Sequence, residues 1–147
     1  MKEHIKPLTI PNLIYILLFF WYSLIFFDIP LLTTEGHASL ISIYGLLELV
    51  LAIILIGFLL HWTIMNYFGL LMLVLWGYLQ FNGNWKYLFI ETSEEKIQSY
   101  YEHFDNTLRF FPESEKIIIP DAYHIILGVL LLINTVLVIR KIIMKFI

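Results

Sequence analysis

Glu48 is the only Asp, Glu, Lys or Arg between Glu35 and Lys86, and the apolar residues on both sides of it read as membrane. An ionised carboxylate at such depth costs several kcal/mol, so it is neutral, paired, or turned toward a bundle interior or a water-filled cavity. Tyr44, Gly45, Leu51 and Ala52 lie one helical turn from it. Ala38, Ser42, Gly45 and Ala52 form a stripe of small residues beside it, of the kind that lets helices approach closely. Tyr22 and Ser23 on the first apolar segment, and Asn134 on the last, fall at similar depth and could bond the carboxyl. Two uses follow. A protonated Glu48 could fix how the helices pack, or it could serve a proton relay or a polar contact to a quinone or lipid headgroup. A relay normally needs a chain of ionisable groups, and only this one stands out.

Histidine is the second chemistry-bearing type. His37, His103 and His124 fall near Asp28, Glu35 and Asp121. Such a set could ligate a metal, and His37 with His124 could act as axial ligands of a haem. No pair has H-x3-H spacing, however, and each comes from a different segment. Interfacial anchoring is the plainer expectation, with no metal or cofactor bound. The chain has no cysteine, which excludes disulfides, thiolate metal sites and CxxC redox chemistry. It also lacks a GxSxG elbow, a phosphate-binding Gly loop and an HExxH helix. No catalytic residue is expected, and Asn134 and Gln80 read as interhelical hydrogen-bonding groups.

These residues need elements to hold them. The chain has 147 residues, 60% hydrophobic and 14% charged, with a mean hydropathy of +0.82. A soluble domain would carry nearer a quarter charged residues. The expected fold is an all-α integral membrane protein, a single four-span domain over 1–147. A span needs about 20 apolar residues, and the pattern gives spans near 10–27, 39–60, 64–81 and 122–139. Pro11 suits a first helical turn, and His61, Thr63 and Asn66 mark a tight turn between the middle two. Lys2 and Lys6 precede the first span and Arg140, Lys141 and Lys145 follow the last. The positive-inside rule therefore places both termini on the cytoplasmic side of a bacterial-type inner membrane. Trp62 and Tyr67 at one end, and Trp76, Tyr78, Trp85 and Tyr87 at the other, fit aromatic belts. Gly36-His37-Ala38 would suit leader cleavage but lies too far past the apolar run, so an uncleaved anchor is expected. The net charge of −3 argues against nucleic acid.

The outer loop, 82–121, contains the one stretch with soluble-type patterning. Thr92 and Glu95 have capping-box spacing. Ile97, Tyr100, Tyr101, Phe104, Leu108 and Phe111 recur at helical spacing, and Pro112 would end the helix. An amphipathic helix over 91–111 is expected, lying on the membrane surface or capping the bundle. A docking face for a protein partner is the sharper alternative, favoured slightly by an acid-rich polar face.

The run Tyr44-Gly45-Leu46-Leu47-Glu48, then Ile54-Leu55-Ile56-Gly57-Phe58-Leu59-Leu60-His61 and on through Met72, resembles the second and third spans of the DoxX-like family. The resemblance implies a four-helix membrane subunit associated with respiratory or oxidative-stress assemblies, with Gly45 and Glu48 as the polar point of the second helix. His61 stands where members often have a basic residue, and Asp28 where they often have Lys at the end of the first span. The expected role is a non-catalytic membrane subunit or anchor of a larger, quinone-linked redox assembly, partnered by lipid and by another protein or a second copy. A stand-alone binder or transporter of a small lipophilic molecule or ion, using Glu48, is the alternative. A membrane immunity or defence protein is a third.

Overall fold

The computed structural model describes residues 9–27, 29–32 and 38–147. Five α-helices account for most of these, and no strand occurs among the described residues: α1 Ile10–Ser23, α2 Ile43–Leu59, α3 Thr63–Gln80, α4 Glu94–His103 and α5 Ala122–Ile143. Burial follows helical spacing on each long element: 15, 18 and 22 on α1; 51, 54 and 58 on α2; 73 and 76 on α3; and 127, 130, 131, 134 and 138 on α5. That three–four alternation makes one stripe per helix. The stripes meet because α1 packs on α2 and α5, and α3 packs on the same two, closing a ring of four helices. The outward faces are apolar too, with Leu17, Phe20, Leu49, Ile53, Leu71, Leu75, Leu132 and Val136 all exposed. Two helical stretches, Thr63–Leu88 and Ala122–Ile143, are long and apolar enough to cross a membrane; Ile10–Phe26 and Ile43–Leu59 are apolar but shorter.

Several boundaries differ from expectation for local reasons. The helix expected from 39 begins at Ile43, because two serines capture the backbone first. Ser39 Oγ accepts from Ile41 N at 3.1 Å, and Ser42 Oγ accepts from Tyr44 N at 3.2 Å as the N-cap. Short hydroxyl side chains compete with helix in this way. Gly45 belongs to this turn rather than to a helix–helix contact, since a Cβ there would lie 2.0 Å from the Leu40 carbonyl oxygen. Between α2 and α3, His61 takes a left-handed φ of 57°. His61 N donates to Phe58 O at 3.1 Å and Trp62 N to Gly57 O at 2.8 Å, the paired bonds of a Schellman C-cap. The turn foreseen at His61 is therefore a three-residue reversal. α5 passes through Arg140 and Lys141 to Ile143 instead of stopping at 139.

α3 does not end at 81. It widens into one π turn, Phe81–Trp85, and finishes as a 3₁₀ turn, Lys86–Leu88. Such wide turns inside helices are rare and recur at functional sites. Trp76 also departs from its expected belt position: it is buried and meets Tyr22 edge-on at 4.9 Å, so its ring is core.

The segment between α3 and α5 forms a cap whose helix is shorter than expected. α4 runs from Glu94 to His103, with Ser93 rather than Thr92 at the N-cap and no side-chain cap bond there. Glu94 and Glu95 in its first turn complement the helix dipole. Beyond Phe104 the chain leaves the helix because tertiary pairing wins. Leu108 N donates to Leu31 O at 2.6 Å and Ala122 N to Leu108 O at 2.8 Å. Tyr101 ties down the return strand of the loop: its hydroxyl donates to Ile117 O at 3.3 Å and accepts from Ser114 N and Ile119 N at 3.2 and 3.3 Å.

Candidate functional site

Glu48 sits half-buried on α2 at the seam with α1, where the hydroxyl of Ser23 meets its Oε1. Ser23 Oγ also lies 2.9 Å from the Phe19 carbonyl oxygen. A hydroxyl has one proton to give. When it goes to Phe19, the carboxyl must itself donate to Ser23, and Glu48 is then a neutral acid. Oε2 is shielded from solvent and has no hydrogen-bond partner among the described residues, a state that costs about 1–3 kcal/mol. Next to this pair is a recess of about 670 Å³, lined by Ser23, Phe26, Phe27, Ala38, Leu40 and Glu48 among others. The recess lies where α1 ends and α2 begins.

Around the carboxyl, aromatic hydroxyls clamp the backbones of neighbouring helices. Tyr22 Oη donates to Tyr44 O at 3.2 Å, Tyr123 Oη to Tyr22 O at 3.2 Å, and Trp21 Nε1 to Tyr123 O at 3.2 Å. Of the residues expected to contact Glu48, only Ser23 does so through its side chain. Tyr22 is spent on a carbonyl, Tyr44 contributes its carbonyl while its ring is exposed, and Asn134 serves another seam. Its Nδ2 donates to Leu130 O at 2.8 Å and to Ile14 O at 3.3 Å, joining α5 to α1 as an interhelical bond. Trp21 and Tyr123 went unremarked in the sequence because nothing in an apolar run distinguishes an aromatic that bonds a carbonyl from one that faces lipid.

Phe104 stands against the rings of both His103 and His124, with centroids 4.7 Å from His103 and 5.3 Å from His124. His124 is committed to its own helix cap, its Nδ1 2.9 Å from Asp121 Oδ1, which also accepts from His124 N. His37 lies outside the described residues. Among the described residues no group of three His, Asp or Glu side chains converges.

The outer-helix residues divide. Ile97 is buried, and Tyr100, Tyr101 and Phe104 are half-buried, Tyr101 bonding the loop at Ile117 and Phe104 standing against His124. Burial, and then the charge of Asp121, hold the Tyr100 hydroxyl well above its ordinary pKa. Leu108 and Phe111 lie off the helix and are exposed, as are Phe89, Ile90 and Phe110. In comparisons with known proteins, no family model, curated protein or solved structure matches this chain.

Proposed function

We propose that α1, α2, α3 and α5 cross a bilayer side by side, with both termini on the cytoplasmic side and the α4 cap outside, and that the protein binds a small amphiphile at Glu48 without catalysing a reaction on it. Support for the spans comes from outward faces as apolar as the core, which water would not tolerate over so large an area. Lys2, Lys6, Arg140, Lys141 and Lys145 at one end, against no Lys or Arg in the short 28–37 connection at the other, support the orientation.

The observation that carries binding is Oε2 of Glu48, unpartnered beside a recess. With Oε1 engaged by Ser23, Oε2 is the oxygen left for a ligand, and it takes a donor. The ligand class is therefore a lipophile with a hydroxyl or amine head. Thermal unfolding in mild detergent with decanol, decylamine and decane tests this. The alcohol and the amine should raise the melting temperature of the wild type and not of Glu48→Leu, while decane does neither. Equal shifts in both proteins would sink the reading.

A second reading rests on a different observation. Phe89, Ile90, Leu108, Phe110 and Phe111 leave apolar surface on the outer cap, and residues 44–72 carry the DoxX-like resemblance. Together they support a membrane subunit that anchors a redox partner, quinone-linked as the resemblance implies. Purification from native membranes decides it: a stoichiometric partner lost on Phe110→Ser with Phe111→Ser supports the subunit role, and a lone chain removes it.

A further inference from the structure

On the far side of the bundle from Glu48, α3 and α5 leave a groove of about 430 Å³ whose walls include Leu73, Gly77, Gln80, Trp85, Gly128 and Thr135. Two glycines shape it. At Gly77 a Cβ would meet nothing within 4 Å, so the groove is open there. At Gly128 a Cβ would lie 2.5 Å from Trp85 Cζ2 and 2.7 Å from its Nε1, so the indole rests directly on the α5 backbone. The π turn of Phe81–Trp85 delivers it there.

The groove is polar at one end only. Trp85 Nε1 is buried with no hydrogen-bond partner among the described residues. Gln80 Oε1 is engaged by Asn84 Nδ2 at 2.9 Å, leaving its amide nitrogen as a second donor. At the other end the Thr135 hydroxyl is returned to Leu131 O at 2.8 Å, which leaves apolar wall. From Gly128 to Thr135 the groove follows roughly 10 Å of helix. A buried, unmet indole N–H calls for an explanation, and an acceptor supplied by a bound molecule is one.

We propose that this groove holds one ester-linked acyl chain of a glycerophospholipid, with the ester carbonyl accepting from Trp85 Nε1 and the chain running along Gly77 and Leu73 toward Thr135. Asn82, Asn84, Lys86 and Tyr87 flank Trp85, so the donor end sits at the headgroup boundary, where indoles concentrate and lipid esters lie. The layout of one donor at the boundary and hydrocarbon beneath matches an acyl ester. A quinone ring carries acceptors on opposite edges and would leave one against apolar wall. The inference rests on the membrane-spanning reading and not on the ligand at Glu48.

Native mass spectrometry of the detergent-purified chain, titrated with a diester phosphatidylglycerol or its diether analogue, tests the assignment. The wild type should retain one diester lipid roughly fivefold more tightly than the diether, the worth of one hydrogen bond. Trp85→Phe keeps the ring on Gly128 and should bind the two lipids equally. At Gly77 a Cβ meets nothing within 4 Å, so Gly77→Leu should project into the groove and lose the bound lipid while keeping the wild-type helical circular dichroism. Equal affinity of the wild type for ester and ether, retention of lipid by Gly77→Leu, or a co-purifying quinone displaced by Gly77→Leu would each overturn the proposal. A chain that fails to partition into bilayers at all would instead overturn the spanning reading beneath it.

Discussion

At the scale of single residues, the Glu48–Ser23 pair is where the physics is least forgiving. Ser23→Ala removes the one partner of Oε1 among the described residues and leaves two unmet oxygens, which should cost roughly 1–3 kcal/mol. Adding Glu48→Leu removes the orphaned group and should recover most of that loss, so a double-mutant cycle read by thermal unfolding in detergent would show strong non-additivity. Simple additivity would mean the contact contributes little. Glu48 itself was legible in the sequence, because a lone carboxylate in an apolar run has few tolerable environments. Its partner was legible only as one of three groups at similar depth. Helix rotation decides among Tyr22, Ser23 and Asn134, and rotation is set by packing that no single segment encodes.

Among the elements, agreement is best where apolar periodicity is long and worst where short polar side chains compete with the backbone. The long helices were readable from their apolar runs. The delayed start of α2 and the early end of α4 were not, because Ser39, Ser42 and the Leu31–Leu108 pairing act through particular hydrogen bonds. The α2–α3 reversal offers a direct check. His61 occupies a left-handed position, which glycine adopts without a Cβ penalty. His61→Gly should therefore stabilise the protein by about 1 kcal/mol, raising the melting temperature by ~2–4 °C; a lower melting temperature would show that the imidazole has a role of its own. In the cap, Tyr101→Phe deletes the hydroxyl that joins 114, 117 and 119. Faster amide exchange is expected across that loop, with α1 and α5 unchanged.

For the whole molecule, the absence of cysteine makes sidedness easy to measure. A single cysteine at His103 should react with an impermeant maleimide added outside intact cells, and one at Lys145 should react only after lysis. The reverse pattern would overturn the proposed orientation, and labelling of both from outside would refute the crossing by α5. The wide turn at Phe81–Trp85 carries a consequence for the molecule as a whole. A π turn is an α-helix with one residue too many, and each residue of an α-helix turns the chain by roughly 100°. The wide turn takes up that surplus locally; were the same residues wound as regular helix, everything beyond them would swing by about that angle. Trp85 would leave Gly128, and Tyr87, whose carbonyl accepts from Ile118 N at 3.1 Å, would lose its hold on the cap. The wide turn thus works as the indexing pin between bundle and cap, setting the angle at which the cap is mounted on the four long helices.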